Sequence, residues 1–111
     1  MKCDSKVVGD ATIFAIQGDI VFNYLSEIRE IIKGQIDNAD TDKFLINLED
    51  VGIIDSAGVG FIVSVYKSVL SRKGNFGLIN PNEAVENVLE TVGLTRLFKV
   101  FKSEDEAVKG I

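Results

Sequence analysis

Histidine and tryptophan are missing from this chain of 111 residues, and cysteine, proline and methionine occur once each. Without histidine there can be no Ser-His-Asp or Cys-His arrangement, and the commonest general base is unavailable. The lone Cys3 has no second cysteine to bridge and no histidine with which to share a zinc ion, a pattern that fits a reducing compartment. Long apolar runs are lacking too. Nothing approaches the roughly 20 residues of a membrane span, and no basic stretch followed by an apolar one opens the chain. The formal net charge is -5, and apart from Arg72-Lys73 the basic residues are scattered, so the electrostatic footprint of a nucleic-acid binder is absent. These gaps predict a soluble cytoplasmic protein, with no membrane insertion, no nucleic acid and no cofactor, whose partners are other proteins.

Apolar residues make up 46% of the sequence, enough for one compact domain over residues 1–111 with a core that needs no staples. Lys6-Val7-Val8 and Ala11 to Ile16, parted by Gly9-Asp10, read as a hairpin with a two-residue turn. Phe22, Leu25, Ile28, Ile31, Ile32 and Ile36 follow helical spacing. Phe44 to Leu48 reads as a buried central strand, Ala57 to about Leu70 as a strongly apolar helix, and Asn75 to Asn80 as another strand. That apolar helix is either buried on two sides or an exposed interaction surface. Pro81 fits the start of a helix carrying Val85, Val88, Leu89 and Val92 and stopping at Gly93. Leu97 to Phe101 alternates as a strand, and Ser103 with Glu106 forms a capping-box pattern opening a last helix. The order β-β-α-β-α-β-α-β-α predicts an α/β fold. Its sheet is mixed but mostly parallel, with an N-terminal antiparallel hairpin and about four helices.

Several chemistries fail on spacing. Arg72-Lys73-Gly74-Asn75 does not match a phosphate-binding P-loop. Glu83, Glu86 and Glu90 share a helical face, which is the ordinary pattern of a solvated surface. Asp10, Asp19, Glu49, Asp50 and Asp55 could gather at one end of the sheet around an oxygen-ligated cation, but no calcium-loop spacing accompanies them, and no metal is expected.

What remains is Asp55-Ser56-Ala57-Gly58-Val59-Gly60, at the passage from an apolar strand to an apolar helix. Free backbone N–H groups and the positive end of the helix dipole favour negative charge there, so a serine at this place can receive phosphate. The plainer reading is that Asp55 or Ser56 is an N-cap and that Gly58 and Gly60 permit tight packing.

The element order and the run Leu45 to Gly60 together resemble the STAS domain family, and bacterial anti-sigma factor antagonists most closely, over nearly the whole chain. In that family an Asp-Ser-x-Gly-Leu-Gly stretch follows the central strand, and a kinase that is also the anti-sigma factor phosphorylates its serine. The resemblance therefore implies that Ser56 is the phosphoacceptor and that an anti-sigma factor serine kinase is the protein partner. Asp19, Asp55, Ser56, Ala57, Gly58, Val59, Gly60 and Asn80 would form or border the contact surface. It implies a binding module and not an enzyme; the apolar helix permits dimers, so a monomer or weak dimer is expected. The family commonly has Gly-x-Leu-Asp at the end of the second strand; here Gly18-Asp19-Ile20-Val21 puts valine at the aspartate's place, with Asp19 two residues earlier. A second expectation keeps the fold without phosphorylation, as a STAS adaptor for a transporter ATPase or a signalling scaffold.

Overall fold

Alternation along Lys43 to Asp50 explains how the molecule is layered. Phe44, Ile46 and Leu48 point into one buried cluster while Leu45 points into another, so this strand is covered on both faces. The computed structural model describes residues 1–111, apart from the side chain of Tyr24. Its strands are β1 (Lys2–Val8), β2 (Ala11–Gln17), β3 (Lys43–Asp50), β4 (Asn75–Ile79) and β5 (Lys99–Phe101). Its α-helices are α1 (Leu25–Asp37), α2 (Ser56–Ser71), α3 (Glu83–Thr91) and α4 (Glu104–Gly110), with 3-10 turns at Phe22–Tyr24 and Leu94–Arg96.

The strands lie in the order β1-β2-β3-β4-β5; β1 is antiparallel to β2 and every later pair is parallel. Parallel neighbours joined in sequence by right-handed crossovers carry all their helices to the same face. Residues of α1, α2 and α3 accordingly share the larger cluster with Phe14, Ile16, Phe44 and Ile46. The opposite face is closed by α4, whose Ala107 packs on Ala11, Ile13, Leu45 and Ile79. Each fully buried Ile or Phe contributes about 1.5–3 kcal/mol relative to exposure, so the larger layer dominates stability.

The expected element order holds, and local chemistry sets its limits. Gly9 (φ 62) makes the two-residue hairpin turn, and Gly93 (φ 82) ends α3 in the left-handed conformation. Ser103 accepts the Glu106 N–H at 3.2 Å while Glu106 reaches back to the Lys102 N–H, a capping box displaced by one residue. Asn82, not Pro81, caps α3, accepting from Val85 N–H at 2.8 Å.

Three readings from periodicity need correction. The first helix begins at Leu25, after a 3-10 turn, and Phe22 (75% exposed) and Ile31 (45% exposed) lie off its buried face. Val92 is likewise exposed past the end of α3. The alternating stretch from Leu97 shortens to β5 at Lys99–Phe101, because the Leu94–Arg96 turn places Leu97 outside and Phe98 inside. Of the two readings of the apolar helix, burial holds for one face, while Gly60, Lys67 and Leu70 remain exposed. Phe61, Ile62, Val65 and Val69 of α2 are buried, and Tyr66 packs against Phe76 and Phe98.

Candidate functional site

After β2 and β3 leave the sheet side by side, their chains stay paired for a few residues. Ile20 and Ile54 form a parallel bridge; Ile20 N–H donates to Ile53 C=O at 3.0 Å, and Asp55 N–H to Ile20 C=O at 3.4 Å. This bridge delivers the Asp55-Ser56 pair to the rim at the carboxyl end of the parallel strands, where an open α/β sheet places its binding residues.

Asp55 is the N-cap of α2. Its Oδ1 accepts the Gly58 N–H at 2.8 Å, and its Oδ2 accepts the Phe22 N–H at 3.1 Å. One carboxylate thus satisfies an orphan amide of α2 and fastens the turn that precedes α1. These backbone donors, Gly58 first and Phe22 second, hold its carboxyl below the usual aspartate range. Ser56 follows as the first helical residue, exposed and unburdened by the capping duty.

Gly58 is a packing residue. A Cβ there would stand 2.2 Å from the Ile20 carbonyl oxygen and 2.6 Å from Ile54 Cγ1. Gly60 differs: a Cβ there meets nothing within 4 Å. It lines a groove of about 650 Å³ between α1 and α2, together with Phe22, Arg29, Ala57 and Ser64 among others. Ala57 and Val59 are half-buried, Val59 leaning on the core.

Asp19 is exposed, and its Oδ1 accepts the Ile53 N–H at 3.1 Å, which latches the β3–α2 loop. Asn80, with φ 49, turns the chain out of β4 and donates its N–H to Phe101 C=O at 2.7 Å; no side-chain bond brings it to the Ser56 rim among the described residues. The residue that does reach the loop is Asn82, whose Nδ2 donates to Val51 C=O at 3.1 Å and Gly52 C=O at 2.9 Å. Sequence reasoning passed over it; an asparagine just after proline at a helix start was the signal, since it marks a cap. The five carboxylates considered as a possible cluster at one end of the sheet are split: Asp10 pairs with Lys43 at 2.8 Å at the start of β3, whereas Asp19 and Asp55 hang from its far end. No group of three acidic or thiol side chains suited to a metal ion occurs among the described residues.

The rim is therefore an exposed hydroxyl beside a capped helix N-terminus, flanked by exposed Phe22 and Ile53 (55% exposed). It presents exposed apolar side chains beside one exposed hydroxyl. No helix among the described residues is long and apolar enough to cross a membrane.

A family model described as the STAS domain matches residues 2–107. A candidate anti-sigma factor antagonist of Thermotoga neapolitana is 33% identical over 106 residues, covering 96% of this chain and 94% of its own. The crystal structure of a like-named protein from Thermotoga maritima superposes with a TM-score of 0.89 at 31% identity, covering 96% of this chain and 92% of that one. The anti-sigma factor antagonist SpoIIAA in its unphosphorylated form shares the fold, with a TM-score of 0.83 at 24% identity over 99% of this chain and 98% of that one.

Proposed function

This chain belongs to the STAS domain family, and from that premise we propose that it is an anti-sigma factor antagonist switched at Ser56. Unmodified, it docks through the rim of Asp19, Asp55, Ser56, Ala57, Val59 and Gly60, with buried Gly58 packing beneath it, on an anti-sigma factor that is also a serine kinase, so that a sigma factor is freed. Phosphorylated, it lets go. Asn80 borders this surface, and Asn82 holds the loop behind it. The observation that carries the reading is the exposed Ser56 hydroxyl placed one residue past the cap, where it can enter another protein's active site without unfolding α2.

The physics of release is charge. A phosphate adds about −1.5 to −2 charges at neutral pH. A partner carboxylate about 4 Å away would feel roughly 4 kcal/mol per unit charge at an effective dielectric near 20. Half of that, about 2 kcal/mol, weakens binding roughly thirtyfold. The same charge acts inside the domain. The Gly58 and Phe22 N–H groups are already committed to Asp55, so a phosphate on Ser56 opposes the carboxylate that fastens Phe22 to α2. Docked shape and docked charge change together.

Capture from native cell lysate with wild-type, Ser56→Ala and Ser56→Asp baits tests this, with melting curves to confirm that all three fold. A kinase-like ATPase held by wild type and Ser56→Ala and lost with Ser56→Asp is the expected result. Equal retention of one partner by all three would leave Ser56 an ordinary first-turn residue and overturn the switch.

A further inference from the structure

The sheet has two edges, and they are unlike. β5 pairs over only three residues, whereas β1 runs seven residues with no partner on its outer side among the described residues. A long open edge is a template for another strand. Its backbone can be assigned. The two-residue turn closes on Val8 and Ala11 as a hydrogen-bonded pair, so Lys2, Asp4, Lys6 and Val8 turn their amides and carbonyls toward β2. Cys3, Ser5 and Val7 turn theirs outward. The side chains alternate as well. Cys3 packs with the helix-covered core, while Val8 packs with the α4 side, where Lys6 meets Glu104 at 2.7 Å.

We propose that β1 is a homodimer interface, pairing antiparallel with β1 of a second copy about a two-fold axis at Ser5. In that register Ser5 faces Ser5 and Cys3 faces Val7 of the second copy, each exchanging two backbone hydrogen bonds. On the other face Asp4 lies opposite Lys6 of the second copy, and by symmetry Lys6 lies opposite its Asp4. The alternating Lys2, Asp4, Lys6 charges select this arrangement. Sliding by one residue pair either way sets Asp4 against Asp4 and Lys2 against Lys6, or Lys6 against Lys6. Charges on an edge usually ward off pairing; here they reject the wrong registers and admit one.

The side-chain shapes agree. Val7 projects from the edge at 66% exposure. Beside Cys3 lies a groove of about 360 Å³ between β1 and α1, lined by Cys3, Glu27, Ile28 and the exposed Ile31 among others. Val7 of the second copy, opposite Cys3 and on the same face, enters that groove, and the symmetric contact is made on the other protomer. Lys6 keeps Glu104, because an ammonium has donors for both carboxylates. The interface leaves the Ser56 rim uncovered and does not depend on its role.

Sedimentation equilibrium from about 1 µM to 1 mM tests the pairing with wild type, Asp4→Lys, Lys6→Glu and an equimolar mixture of the two variants, each checked for folding by circular dichroism. Wild type is expected to pass from monomer to dimer as concentration rises. Each variant alone places like charges at both cross-strand pairs and is expected to dimerise at least about tenfold more weakly. The mixture restores opposite charges at every pair and regains the wild-type mass. A wild type that stays monomeric throughout, or single variants that dimerise as it does, would overturn the proposal. Should Lys6→Glu fail to fold against Glu104, Asp4→Cys and Lys6→Cys, each in a Cys3→Ser background, test the same register when mixed: residues 4 and 6 form the closer, non-hydrogen-bonded pair, so mild oxidation is expected to link the two different chains in preference to like chains, and a mixture without that preference refutes the pairing.

Discussion

Two glycines of one motif carry different duties, and single methyl groups separate them. At Gly58 a Cβ would collide with the Ile20 carbonyl oxygen, which belongs to the backbone and cannot swing aside. Gly58→Ala should therefore lower stability by about 1–3 kcal/mol, read as a lower urea midpoint, because the Ile20–Ile54 bridge must spread. Gly60→Ala meets open space on an ordinary helical backbone and should hold or raise stability by up to about 1 kcal/mol while weakening partner binding. Equal loss of stability at both positions would remove the distinction. Cys3 also belongs to this scale. Burial, then the neighbouring Asp4 charge, pushes its thiol up to about 11, so it stays protonated at neutral pH and is a packing residue.

At the scale of elements, side chains at helix ends tie one element to the next. Arg72, just past α2, donates to the Ile36 and Ala39 carbonyls at the end of α1, pairs with Asp42 at 3.1 Å and lies over the Phe44 ring. A cation there answers both the orphan carbonyls and the negative end of the α1 dipole. The weak place in α1 is Gly34, in its interior, where a Cβ meets nothing within 4 Å. Gly34→Ala should raise stability by about 0.5–1 kcal/mol, measured by chemical denaturation, with no effect on the Ser56 rim. A loss instead would mean that the glycine serves a contact outside the monomer. Periodicity made α1 legible, yet it could not separate Ile32, buried under the sheet's cover, from exposed Ile31, since the two differ only in how the helix is rotated onto β2 and β3.

For the whole molecule, the balance of charge sets the response to pH. Asp10 beside Lys43, Asp55 under the Gly58 and Phe22 amides, and Glu104 beside Lys6 all have carboxyls held below their ordinary values. The unfolded chain therefore takes up protons first as pH falls. Their contribution is fully present above the ordinary range of about 3.9–4.3 and is lost as pH drops through the lower folded values. With no histidine to titrate, the melting temperature should be nearly flat from about pH 5.5 to 7 and decline steeply below about 4. A decline centred near pH 6 would contradict this account. The sequence alone determined what depends on neighbours along the chain: the hairpin at Gly9-Asp10, the apolar faces, the order of strands and helices, and the capping motif at Asp55-Ser56. Spacings of two, three or four residues encode these directly. Only the tertiary structure decided that Asn82 rather than Asn80 holds the Val51-Gly52 loop, that Asp19 latches Ile53, which face of α2 is buried, and that the acidic residues divide between opposite ends of the sheet. Those contacts join residues some thirty positions apart, so they exist only once the strand order has set which ends meet.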